Sequence, residues 1–171
     1  MEAVAVLKSA FDGAHMWYQG TIADVTEEQA NVVPPGVAHP IGALMAHILQ
    51  CEDVMINQII RGRPPLWEQD GWSDKVGGDL LVDLDPAVRE YPCNLQAMAA
   101  YGQAVVASTD AFFQSISDGD LDRELELIPL GFPTNLTVGA FLSQMLLGNT
   151  YAHTGEISFI KGSLGQKGYP F

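Results

Sequence analysis

Three polar residues share one face of a predicted helix near the end of the sequence. Asn149 and His153 are four residues apart, and Glu156 follows three residues later. At 3.6 residues per turn, this spacing places the three side chains on the same face. Apolar residues continue the same steps along that face: Val138, Leu142, Met145 and Ile160. Since buried polar groups need hydrogen-bond or metal partners, we expect a polar site inside the protein.

His47 interrupts a second apolar pattern in the same way. The inward positions predicted for that helix are Leu44, His47, Ile48, Cys51 and Met55. If the two helices pack together, His47 and His153 face one another with Asn149 beside them. Two imidazoles from facing helices form a donor set that suits a transition metal. The geometry therefore predicts either a metal site or a buried hydrogen-bonded pair of histidines without metal.

A catalytic zinc ion is typically held by three protein ligands and keeps one open position for water. The third donor is left open here among the amide oxygen of Asn149, the carboxylate of Glu156 and the thiolate of Cys51. A mid-helix cysteine such as Cys51 is more typical of a small core residue. Glu156 is more typical of a carboxylate that orients a histidine ring, and it is also our preferred general base. His15 is predicted at a solvent-exposed helix edge.

Four long helices must position these residues, and helical periodicity predicts them near residues 3–25, 40–61, 94–116 and 137–161. Boundary residues support the assignment: Pro40 suits a first helical turn, and Asn94 and Thr137 suit N-caps.

The segment from 62 to 93 is rich in proline and glycine and is long enough to run back along a helix. Helices two and three are therefore predicted to be parallel. Alternating residues around a Gly-Phe-Pro sequence, between residues 123 and 136, predict a short hairpin before helix four.

Two blocks of the sequence resemble a known family. The segments ANVVPPGVAHPIGALMAHILQCED, from residue 30, and GNTYAHTGEISFIKG, from residue 148, are similar to helices two and four of the DinB-like superfamily. The resemblance implies an all-α, up-down-down-up four-helix bundle with a long crossover between helices two and three, often dimeric. It implies a divalent metal, zinc or nickel, held by one histidine of helix two and an H-x-x-x-H pair of helix four. His47 matches the first ligand and His153 the last, whereas Asn149 replaces the first histidine of the pair.

Length and charge restrict the remaining functions. A chain of 171 residues with 47% hydrophobic residues predicts one domain over residues 1–171. The formal net charge of −13, without a basic patch, argues against nucleic-acid and anionic-membrane partners. An N-terminus without signal-peptide features and only two cysteines predict a cytoplasmic protein. Apolar residues on more than one face of helix one, together with the resemblance, predict a homodimer.

Two classes of function follow from these residues. The first is a metal-dependent enzyme of the hydrolase or thiol S-transferase type, acting on an unknown small molecule at the interior histidine site. The second is a non-catalytic bundle that binds a small apolar ligand or a protein partner, with a metal-free histidine pair.

Overall fold

Helices dominate the structure, a computed structural model that describes residues 2–76, 78–85 and 88–171. Met1, Gly77, Pro86 and Ala87 lie outside the described residues. The α-helices are α1 (Ala3–Ile22), α2 (Glu27–Ala30), α3 (Ile41–Asp53), α4 (Leu66–Gln69), α5 (Trp72–Val76), α6 (Leu95–Gln114), α7 (Val138–Ala140) and α8 (Leu147–Ser163). Two π-helical segments, Val54–Ile60 and Phe141–Leu146, extend α3 and join α7 to α8. The four predicted long helices are therefore present.

Helix α1 ends earlier than residue 25, where the apolar periodicity predicted its end. The chain turns after Ile22, and Thr26 then begins the short helix α2. The Thr26 side chain accepts the Gln29 backbone N–H while the Gln29 side chain accepts the Thr26 backbone N–H, a reciprocal capping box. Val25 is buried between the two helices, which explains why it continued the apolar pattern.

Helix α3 is the most deeply buried element. Every residue from Ile41 to Asp53 is buried, including the polar Gln50 and the acidic Glu52 and Asp53. The residues of α3 that were predicted to face the core are buried. The opposite face of the helix is buried as well, because the crossover packs against it. Gln50 shows this contact, since its side chain accepts the Leu81 backbone N–H at 2.6 Å.

Helices α3 and α6 pack directly against each other. Cys93, two residues before α6 begins, has its Cβ 2.5 Å from where a side chain on Gly42 would begin, so glycine permits this close approach. Further along, Leu49 packs against Gly102. At the far end, the Ser108 hydroxyl donates to Asn57 Oδ1 at 3.2 Å. Residues later in the α3 segment therefore contact residues later in α6.

Asp53 anchors the start of the crossover to the bundle. Its carboxylate accepts the backbone N–H groups of Leu66 and Trp67 at 2.9 and 2.8 Å, and the Tyr101 hydroxyl at 2.8 Å. The rings of Trp67 and Trp72 both pack against Tyr101. These aromatic residues of the crossover therefore belong to the packed structure.

A two-stranded antiparallel hairpin precedes the fourth long helix, as the alternating pattern predicted. Strand β1 (Glu124–Leu125) pairs with β2 (Leu136–Thr137). The Thr137 side chain then caps α7 by accepting the Ala140 backbone N–H. This hairpin is the only sheet within the described residues.

The π-helical segment before α8 changes which residues face the core. A π turn holds one more residue than an α turn and so rotates the following side chains around the helix axis. The buried positions after the segment are Leu147, Thr150, Thr154, Ile157, Ser158, Ile160 and Lys161. The predicted stripe through Asn149, His153 and Glu156 therefore lies along the edge of the buried face, and Glu156 is exposed. No described helix has the length and apolarity needed to cross a membrane.

Candidate metal site between helices α3 and α8

His47 is held in one orientation from the crossover side. It is buried on α3, and its Nδ1 atom lies 2.6 Å from the backbone carbonyl oxygen of Leu81. A carbonyl oxygen only accepts hydrogen bonds, so Nδ1 carries a proton that it donates. Burial lowers the pKa of His47, with a smaller lowering from the neighbouring His153. The neutral ring therefore presents a lone pair at Nε2.

Asn149 approaches that lone pair from α8. Its Oδ1 atom lies 3.0 Å from His47 Nε2, so two atoms that accept hydrogen bonds face each other. Asn149 Nδ2 is buried and has no hydrogen-bond partner within the described part of the chain. This arrangement needs either a cation between the two acceptors, or an amide turned so that its NH₂ group donates to Nε2.

His153 completes the cluster from the next turn of α8. Its ring lies edge-on to that of His47, with the ring centroids 4.6 Å apart and the planes at 84°. His153 Nδ1 lies 2.6 Å from Glu156 Oε2. A carboxylate accepts from this nitrogen, so the neutral tautomer of His153 has its lone pair on Nε2. The structure thus brings His47, Asn149 and His153 together, whereas Glu156 reaches the cluster from solvent.

Cys51 lies one turn after His47, but its thiol has little thiolate character. Its Sγ atom is 3.6 Å from His47 Nδ1 and 3.7 Å from the Val82 carbonyl oxygen. Burial raises the pKa of Cys51 to about 12. Since a thiolate is the form that ligates metals, Cys51 is the weakest of the three candidates for a third donor. Within the residues that the structure describes, no three side chains of the His, Cys, Asp and Glu types group as metal ligands. The Asn149 amide oxygen is the donor atom that lies beside His47 Nε2.

A family model matches most of this sequence. The model of the DinB superfamily matches residues 10–157, which include both helices of the cluster. The chain belongs to the DinB superfamily. No curated protein is similar to the chain in sequence.

A solved structure has a similar fold. The crystal structure of a conserved protein from Enterococcus faecalis is similar to this chain with a TM-score of 0.79 and 21% sequence identity. The similarity covers 97% of this chain and 99% of the other. At this identity the likeness concerns the fold alone.

A second polar cluster of this DinB-superfamily chain was missed from the sequence. His15 is 7% exposed, and its Nε2 atom lies 2.9 Å from each carboxylate oxygen of Glu52. The prediction that His15 is solvent-exposed was wrong, because α3 and α6 cover this side of α1. The Thr109 hydroxyl of α6 donates to Glu52 Oε1 at 2.5 Å. The sequence contains one signal for the burial of His15, which is that it follows Ala14, a residue of the apolar face of α1.

The two polar clusters differ in charge. Burial lowers the pKa of His15, but the hydrogen bond and charge of Glu52 outweigh burial, so the pKa of His15 is raised overall. His15 therefore holds its proton more strongly than a free histidine, whereas His47 holds its proton less strongly. The His15–Glu52 cluster therefore favours a protonated histidine, whereas the site of His47 favours a neutral ring with a lone pair at Nε2.

Proposed function

We propose that this protein is a metal-dependent enzyme whose divalent cation, zinc or nickel, is held by His47, Asn149 and His153. The observation that supports this proposal is the 3.0 Å approach of two acceptor atoms, His47 Nε2 and Asn149 Oδ1. Ligands at about 2.1 Å from a tetrahedral ion lie roughly 3.4 Å from each other, so the observed separation suits two ligands of one ion. Burial disfavours protonation of the His47 ring. A metal cation would therefore supply the positive charge between the two acceptor atoms.

The groups behind the three donors also fit a metal site. The Leu81 carbonyl fixes the orientation of His47, and Glu156 fixes that of His153. Backbone carbonyls and carboxylates are the usual partners of metal-bound imidazoles, because they set the tautomer and raise ligand basicity. We assign Glu156 this positioning role first. Its exposed carboxylate is also the proposed general base, since it is an acid-base group in direct contact with His153.

The proposed reaction is of the hydrolase or thiol S-transferase type, on a small molecule. When bound, the cation would lower the pKa of a coordinated water or thiol and so supply a nucleophile near neutral pH. His153 lies at the more accessible side of the cluster and His47 at the buried side. Substrate would therefore approach past His153, while the Leu81 carbonyl holds His47 in place from the crossover.

Titration calorimetry with zinc and nickel tests this proposal. The purified protein is expected to bind one ion per chain, and His153→Ala is expected to lose that binding. The matched control is His39→Ala, since His39 bonds to the Asp85 carbonyl outside the cluster. Equal metal binding by His153→Ala and His39→Ala would contradict the proposal.

A metal-free function is the second candidate, and the buried Asn149 Nδ2 favours it. If the amide turns around, Nδ2 donates to His47 Nε2 and the unpaired nitrogen is satisfied without metal. The cluster would then be structural, and the protein would act by binding a small apolar ligand or a partner. Failure of the wild-type protein to bind either ion would favour this candidate.

We also propose the up-down-down-up helix arrangement, a homodimer and a cytoplasmic location. The contacts of α3 with α6, which advance together along both helices, support the parallel middle pair. For α1 and α8, Gly13 lies against Tyr151 and the Lys161 amine donates to the Thr21 carbonyl, so residues later in α1 contact residues later in α8 as well.

The exposed Met16 and Phe159 supply apolar surface for the proposed dimer.

A further inference from the structure

A cleft lies on the side of α3 away from the histidine cluster. Whereas His47 faces α8, Glu52 faces α1 and α6 through His15 and Thr109. Between these three helices is a cavity of about 420 Å³. Much of its wall is apolar: Ile22, Met45, Ile48, Leu49, Met98 and Val106. This volume lies within the range of about 300–1,000 Å³ that is typical of small-molecule sites.

The polar residues that line the cleft leave no unpaired charge. Glu52 and His15 both line it, and they neutralise each other in a direct pair. Both carboxylate oxygens of Glu52 are already hydrogen-bonded. A charged ligand would therefore lose its hydration without gaining a partner of opposite charge. The chain's net charge of −13 adds a further barrier against anions.

Tyr18 is another residue of the cleft wall, and its hydroxyl group is buried. It lines the cavity and is 5% exposed, yet its hydroxyl has no partner among the described residues. Burial raises the pKa of Tyr18, so the side chain stays a neutral phenol. A buried hydroxyl without a partner costs roughly 1–3 kcal/mol, so a ligand that accepts from it recovers this cost.

We propose that this cleft binds a small uncharged molecule with an apolar body and one acceptor oxygen, such as a ketone or ester, which accepts from the Tyr18 hydroxyl. The apolar wall would hold the body of the ligand, and the hydroxyl would orient it. The site is separate from the proposed metal site, because the two use opposite sides of α3. It does not depend on metal binding.

Two matched probes test the acceptor requirement: 2-acetylnaphthalene, which carries a ketone, and 2-ethylnaphthalene, which has nearly the same shape without an acceptor. Calorimetry is expected to show about fivefold tighter binding of the ketone, in line with one net hydrogen bond. Tyr18→Phe should remove that difference while leaving 2-ethylnaphthalene binding unchanged. The variant removes only an unpaired hydroxyl, so it should fold normally. A ketone preference that survives in Tyr18→Phe would overturn the proposed role of Tyr18.

Two substitutions on α6 test the location. Ala99 lines the cleft and is exposed at its mouth, so Ala99→Trp should weaken binding of both probes at least about tenfold, the effect of losing roughly 1.4 kcal/mol. The next residue, Ala100, is exposed but does not line the cleft, so Ala100→Trp should bind like the wild type. His153→Ala should also bind both probes normally, which separates this site from the metal site. Wild-type dissociation constants above about 1 mM, or equal effects of the two tryptophan substitutions, would overturn the proposal.

Discussion

His15 Nε2 lies 2.9 Å from both carboxylate oxygens of Glu52, and both side chains are buried between α1 and α3. Removing one partner of a buried pair leaves the other charge without compensation. We expect His15→Gln to lower the free energy of unfolding by about 3 kcal/mol, measured by urea denaturation. Asp12→Asn, which breaks an exposed ion pair with Lys8, should cost less than about 1 kcal/mol. Equal effects of these two substitutions would show that the buried pair contributes no more than a surface one.

The contribution of this pair should depend on pH in a defined direction. The folded protein raises the pKa of His15, so it binds the proton more strongly than the unfolded chain. The contribution is therefore fully present below the unfolded pKa of about 6.5 and is lost as pH rises through the folded pKa. The difference in unfolding free energy between wild type and His15→Gln should be larger at about pH 5.5 than at about pH 8.5. A difference that grows with pH would contradict the assigned direction.

His47 should show the opposite pH dependence. Its folded pKa is lowered by burial, so the unfolded chain binds the proton more strongly. Its effect on stability is favourable above the unfolded pKa of about 6.5 and is lost as pH falls through the folded pKa. Relative to His47→Gln, the wild type should lose stability on acidification from about pH 7 to pH 5, measured by thermal unfolding without added metal. A flat difference would show that His47 is not buried as a neutral ring.

Asn149→His should strengthen metal binding if His47, Asn149 and His153 form a metal site. The substitution replaces a weak amide ligand by an imidazole and creates an H-x-x-x-H pair with His153. Mutating a residue that only hydrogen-bonds to a metal ligand changes metal affinity by about 10–100-fold. A new direct ligand should have at least this effect, so we expect calorimetry to show at least about tenfold tighter zinc binding by Asn149→His than by the wild type. Gln144→His places a new histidine at an exposed position of the same helical region and should leave zinc affinity unchanged. No gain in Asn149→His over this control would contradict the metal site.

Substitution of Asp53 should lower the free energy of unfolding strongly. Asp53→Ala removes the acceptor of two backbone N–H groups and of the Tyr101 hydroxyl. Since each unpaired buried donor costs about 1–3 kcal/mol, the loss should exceed about 3 kcal/mol. Tyr101→Phe removes one of these bonds and should cost about 1–2 kcal/mol. Because Trp67 and Trp72 pack on Tyr101, tryptophan fluorescence during urea unfolding reports both effects.

The proposed homodimer can be measured directly. Light scattering at micromolar concentration is expected to give twice the 18.5 kDa of one chain. A Met16→Glu and Phe159→Glu double variant should shift the mass toward one chain, since these exposed side chains supply the proposed apolar contact. Glu substitutions at the exposed Val33 and Val37, in the loop before α3, serve as the control. A wild-type mass of one chain would contradict the dimer.

Local sequence features were enough to locate most of the elements. Asn94 and Thr137 cap the helices that they were predicted to cap, because a side-chain oxygen satisfies a free backbone N–H wherever a helix begins. The hairpin of β1 and β2 was predicted from alternation and a turn for the same local reason. The approach of His47 to His153 and Asn149 followed from helical spacing and the family resemblance.

Other features depended on contacts between distant segments, which spacing along one helix cannot encode. The π turns before α8 moved the buried stripe to Thr150 and Thr154, so Glu156 lies outside. His15 and Glu52 are 37 residues apart, and only the packing of α1 on α3 makes them a pair. The crossover, whose fold over α3 was not predictable, supplies the Leu81 carbonyl that sets the tautomer of His47. Periodicity reports which side chains share a helical face, but only tertiary packing decides what covers that face and which polar groups become partners.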